Sequence, residues 1–131
     1  MKTKEHEIIF NKDDVQQFVQ LIGDRNPIYQ SSERAKDYSF ETIPLPPTMP
    51  MIAYKWLENP WELKHPIIHR KQKCIQHQRM YIEEIYRAVV EVTDQYQRHN
   101  LTFMKQTLFL FNRDGKLCFE GISDLTLGGL S

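Results

Sequence analysis

Apolar residues recur at helical spacing in the first third of the chain and in alternation over its second half. Val15, Phe18, Val19 and Ile22 return every three or four residues and share one face of a helix. Asn11 stands before that run as its N-cap, and Asp13 and Asp14 fall in its first turn, where the helix dipole favours negative charge. Gly23 suits the left-handed position after the last turn. Glu5 to Phe10 reads as a short strand with Ile8 and Phe10 on one face. Pro27 excludes helix at Asn26, so residues 24–29 form a polar turn. Ser31 then opens a short helix.

The stretch Phe40 to Pro47 lacks a donor at Pro44, Pro46 and Pro47 and cannot be a central strand. Thr48 reads as an N-cap, with Pro50 tolerated in the first turn of a helix over Met49–Leu57. Only Lys55 is charged there. Met49, Ile52, Ala53, Trp56 and Leu57 share one face, and Met51 and Tyr54 lie on the other. A helix apolar on nearly all sides belongs in a core. Asn59-Pro60 ends it.

Alternation then takes over. Tyr86, Ala88, Val90 and Val92 make one face of a strand, and Leu101, Phe103, Thr107, Phe109 and Phe111 one face of the next. A turn at Asn112-Arg113-Asp114-Gly115 leads to Leu117, Phe119, Gly121, Ser123, Leu125 and Leu127 on one face of another. Ile67 to Gln78 is polar but extended. Long strands joined by short turns imply an antiparallel sheet. One buried helix before it implies an α+β fold with the sheet wrapped around that helix.

At 131 residues, 40% of them apolar, the chain is expected to form one domain over 1–131 with a real core. Seventeen basic residues balance seventeen acidic ones, which argues against a nucleic-acid partner. The charged start Met-Lys-Thr-Lys-Glu-His-Glu carries no signal-peptide pattern, and no apolar run reaches the length of a membrane span. Two cysteines, Cys74 and Cys118, make no disulfide framework, so a reducing cytoplasm is the expected compartment. His65 and His69 would stand about 13 Å apart along a strand, too far for one ion, and with His77 they read as solvent-facing. No metal and no cofactor is expected.

The stretch Gly-Asp-Arg-Asn-Pro-Ile-Tyr from Gly23 to Tyr29, behind its helix, resembles the hydratase signature of the MaoC-like hot-dog proteins. Pro-Pro-Thr at Pro46 to Thr48 resembles the segment that opens the central helix in one branch, that of N-terminal halves and accessory subunits of dehydratases. The resemblance implies a hot-dog fold, a dimer, and an acyl thioester of coenzyme A or of an acyl-carrier protein as substrate. The implied activity is hydration of a 2-enoyl thioester, or dehydration of an (R)-3-hydroxyacyl thioester. Asp24 falls on the family's catalytic aspartate and Asn26 on its asparagine. Tyr29 stands where the family has its histidine.

That departure matters chemically. A positioned acid–base residue is worth roughly 10²–10⁴-fold in rate. Tyrosine, with an ordinary pKa of about 10, donates a hydrogen bond but is a poor base at neutral pH. The enolate oxygen needs backbone donors, and Thr48 and Met49 at the helix start are the candidates. Lys64, Arg70, Lys71, Lys73 and Arg79 crowd one stretch without an acid between them. They read as a solvated face or as a landing site for carrier phosphates, with Arg70, Lys71 and Lys73 as the anion ligands. Alternatives to the enzyme are a non-catalytic substrate-holding subunit beside a second hot-dog chain, a regulatory protein that senses acyl thioesters, and a thioesterase.

Overall fold

The structure is a computed structural model that describes residues 2–57 and 66–128. Strand β1 (His6–Ile9) leads into helix α1 (Lys12–Leu21) and helix α2 (Ser32–Asp37). A 3₁₀ turn at Pro27–Tyr29 separates the two helices, and a 3₁₀ helix follows at Met49–Lys55. Four long strands complete the chain: β2 (Ile67–Gln76), β3 (Ile85–Arg98), β4 (Leu101–Phe111) and β5 (Leu117–Leu127). All five strands join in one antiparallel sheet of order β1-β3-β4-β5-β2, so β2 is an edge strand.

The local signals that build the first half are visible in its caps. Asn11 accepts the N–H of Asp14 at 2.8 Å, and the Asp14 carboxylate accepts the N–H of Asn11 at 3.1 Å. That reciprocal pair satisfies two donors at the start of α1. Ser31 caps α2 by accepting the Arg34 N–H at 3.1 Å. Gly23 ends α1 at φ +71°, a conformation that a Cβ would strain.

One face of the sheet meets the helical segments. Tyr86, Ala88 and Val90 of β3, Leu108 and Leu110 of β4, and Phe119 of β5 are buried there with Ile8, Phe10, Val15 and Val19. Further along the strands Met104, Leu125 and Leu127 make a second buried cluster.

Five expectations are corrected. The face of β4 that enters the core carries Met104, Gln106, Leu108 and Leu110, while Phe103, Phe109 and Phe111 lie half-buried on the opposite face. The segment Met49–Lys55 is a 3₁₀ helix, shorter and tighter than an α-helix over Met49–Leu57, and Thr48 makes no side-chain cap. Trp56 is 43% exposed, with its ring 5.2 Å from that of Phe10. Ile22 is 56% exposed, because α1 stops at Leu21 and the chain turns away.

The face of the 3₁₀ helix opposite Met49 and Ala53 grips the sheet. Met51 fills the notch left by Gly121, where a Cβ would overlap its sulfur. The Tyr54 hydroxyl reaches Gly121 O at 2.7 Å and Gln106 O at 3.2 Å, tying the segment to β5 and β4. No helix among the described residues is long and apolar enough to cross a membrane.

Candidate functional site

The polar turn after α1 is built by its own side chains. The Asn26 N–H donates to Asp24 Oδ1 at 2.9 Å, and the Ile28 N–H donates to Asn26 Oδ1 at 3.2 Å. Two successive side-chain caps hold the chain in the tight path that Pro27 starts. They leave one Asp24 carboxylate oxygen and the Asn26 amide group facing outward, since both residues are exposed. Tyr29, one turn later, is only 7% exposed and packs in the core.

These residues converge. Asp24, Asn26 and Tyr29 line a surface concavity of about 440 Å³ together with Gln16, Val19 and Gln20 of α1 and with Gly23, Arg25 and Gln30. Val19 supplies an apolar wall, and the mouth is polar. Gln16 Nε2 lies 3.5 Å from Gln30 O and spans the two sides. Burial first, and then the negative charge of Asp24, hold the Tyr29 pKa above its usual value of 10. Tyr29 therefore stays a protonated donor at any physiological pH and is the wrong partner for a base role. A carboxylate, which can only accept, and a protonated phenol, which can donate, thus border the same concavity.

The helix-start donors fall elsewhere. Met49 is fully buried, and its N–H donates to Pro46 O at 3.1 Å. That N–H is occupied, so Met49 does not offer it to an oxyanion in this conformation. Thr48 is exposed, and its carbonyl accepts the Met51 N–H at 3.2 Å. Neither lines the Asp24 concavity.

Arg70, Lys71 and Lys73 sit on β2, at the sheet edge. Arg70 stacks over the Phe103 ring at 5.1 Å in a small cleft that also holds Asp94, Lys105 and Asp124. Two carboxylates beside the guanidinium oppose an incoming phosphate. Arg79 stacks over Phe40 at 4.6 Å, and Lys64 and His65 lie outside the described residues. His77 Nε2 pairs with Glu120 at 2.7 Å. Among the described residues no three His, Cys, Asp or Glu side chains gather as a metal cluster. Cys118 is buried and Cys74 exposed, and burial raises both thiol pKa values.

Gln16 and Gln20 are the site residues that sequence reasoning missed. Their spacing of four puts both on one face of α1, the face that borders the concavity.

The family model described as "FAS1-like, dehydratase domain region" matches residues 1–120. The chain belongs to that family. No curated protein matches the sequence of this FAS1-like dehydratase-region chain. Among solved structures it superimposes on the HadBC complex, a (3R)-hydroxyacyl-ACP dehydratase of Mycobacterium tuberculosis, with a TM-score of 0.83 and 16% identity. That alignment covers 96% of this chain and 94% of the other. The (R)-hydratase of A. caviae involved in PHA biosynthesis gives a TM-score of 0.79 and 20% identity, covering 98% and 95% of the two chains. The ChsH1-ChsH2 complex of M. tuberculosis gives 0.77 and 15%, covering 99% and 85%. The fold is the hot-dog fold, an antiparallel sheet laid over a helical segment.

Proposed function

We propose that this FAS1-like dehydratase-region chain, taken as one hot-dog domain over 1–131, binds 2-enoyl and (R)-3-hydroxyacyl thioesters at the Asp24 concavity. In this reading the Asp24 carboxylate positions the water that adds to the double bond. Asn26 and Tyr29 donate hydrogen bonds to that water or to the thioester. The observation that carries the reading is the convergence of Asp24, Asn26 and Tyr29 on one concavity, backed by the family match over residues 1–120.

Tyr29 also supports a reading of the chain's place in the reaction. With a protonated phenol where a neutral-pH base is needed, the isolated chain is a slow hydratase, and a second hot-dog chain carrying both Asp and His supplies the fast step. HadBC and ChsH1-ChsH2 are both complexes of unlike chains, which supports a paired assembly. Among the described residues one edge of β2 has no partner strand, and that edge is the natural seam for such pairing. Of the basic stretch, Lys73 is the proposed contact for carrier phosphates, with Arg70 and Lys71 held back by their carboxylate neighbours.

The test is a titration of the labelled chain with crotonyl-coenzyme A and longer enoyl thioesters, followed by amide NMR shifts. Shifts confined to residues 16–30 support the site. Saturable binding that leaves residues 16–30 unmoved would place the thioester elsewhere, and no binding at any chain length would remove the reading.

A further inference from the structure

The outer face of the sheet, turned away from the helical segments, carries an ordered arrangement of charge. The strand registers put Lys71 of β2 beside Asp124 of β5, Asp124 beside Lys105 of β4, and Lys105 beside Asp94 of β3. This cross-strand row therefore reads plus, minus, plus, minus. The next outward row reads Lys73, Ile122, Thr107, Glu91, positive at the β2 end and negative at the β3 end. On the other side lies an apolar row of Ile68, Thr126, Phe103 and Tyr96. Tyr96 is 51% exposed, its ring stacked 5.0 Å from that of Phe103, with the Arg70 guanidinium on the other side of Phe103. An exposed tyrosine and arginine stacked on a half-buried phenylalanine have the composition of an interface centre rather than of a solvated face.

Both charged rows are antisymmetric across the four strands. A second copy turned by a twofold axis parallel to the strands, between β5 and β4, lays each row on itself with the strand order reversed. Lys71 then meets Asp94 of the second copy, Asp124 meets Lys105, Lys73 meets Glu91, and Ile68 meets Tyr96. No like charges meet in these two rows. Sheets that pack face to face keep their strands within about 30° of each other, which this operation allows.

We propose that the outer sheet face is a docking surface for a second copy of this chain, distinct from pairing at the β2 edge. Four strands about 4.8 Å apart and three outward rows about 6.8 Å apart give a footprint of roughly 400 Å² per copy. A standard stable interface has about 800 Å² per partner. The contact is therefore weak, concentration-dependent and sensitive to salt.

The test is sedimentation equilibrium of the full chain at low salt, over a concentration series reaching the millimolar range. Asp94→Lys, on a strand far from the β2 edge, should weaken the association about tenfold, because the twofold duplicates the altered contact. Adding Lys71→Asp should restore it. Within one chain that second change sets like charges side by side at Asp124 as well as at Lys105, so only contact between copies predicts a rescue. Tyr96→Ser should weaken association without changing the thermal midpoint. The inference is overturned if the double variant associates no better than Asp94→Lys. Association beyond any edge-paired dimer that persists unchanged through Asp94→Lys and Tyr96→Ser overturns it equally.

Discussion

Removing one hydroxyl tests how the 3₁₀ helix is held on the sheet. Tyr54→Phe keeps the ring and deletes the bonds to Gly121 O at 2.7 Å and Gln106 O at 3.2 Å. A net hydrogen bond is worth about 0.5–1.5 kcal/mol, and the second is long, so the loss at neutral pH should be about 1.5 kcal/mol. The pH dependence adds a sharper signature. Burial, ahead of its other influences, pushes the Tyr54 pKa from 10 up to about 12. A pKa raised in the folded state means that the unfolded chain ionises first as pH rises. The stabilisation is whole below pH 10 and drains between pH 10 and 12, by as much as about 2.7 kcal/mol in all and about 1.4 kcal/mol by pH 11. The phenylalanine variant has no such loss. The two proteins should therefore differ by about 1.5 kcal/mol at pH 8 and be nearly equal near pH 11. Urea denaturation at both pH values, with m unchanged, measures this. Equal stability at pH 8, or a gap that stays constant to pH 11, would refute the anchoring role.

Two further changes probe the same frame. Gly121→Ala drives a methyl into Met51 and should destabilise by about 1–3 kcal/mol, as overpacking does. In a Met51→Ala background the added cost should largely vanish, and a urea double-mutant cycle reads that coupling. Asn11→Ala removes the cap and its reciprocal bond at the start of α1, and should cost about 1 kcal/mol in thermal or urea unfolding while Asp24 keeps its place.

Much of the fold was legible because local chemistry decides it. Asn11, Gly23, Pro27 and Ser31 each force the backbone where they stand, and the turn at Asp24 to Tyr29 follows from them. The faces of β3 and β5 could be read because apolar and polar residues alternate there. In β4 both faces carry large apolar side chains, so alternation shows two stripes and cannot say which enters the core. Phe103, Phe109 and Phe111 outnumber the inward residues in aromatic weight, yet Leu108 and Leu110 are the buried pair. Met49 to Leu57 has the composition of a core helix. The prolines at 46, 47 and 50 remove early donors, and the Met49 N–H closes back on Pro46 O. That closure is a local turn bond to the third residue back, and it occupies the N–H that the start of an α-helix would leave free. Asp24, Asn26 and Tyr29 lie close in sequence and line one concavity. Gln16 and Gln20 belong to the concavity only because α1 ends beside it.

The most direct test is the rate of hydration of a short 2-enoyl thioester by the isolated chain and by its Tyr29→His variant, with Asp24→Asn as control. Tyr29 supplies a protonated donor and no base, so wild type should be slow. Histidine at that position should raise turnover by about a hundredfold, within the range a positioned acid–base residue provides. Asp24→Asn should abolish the gain without lowering the unfolding midpoint, since Asp24 is exposed. A wild type already fast, and indifferent to Asp24→Asn, would contradict the assignment of the Asp24 concavity as the acyl-thioester site.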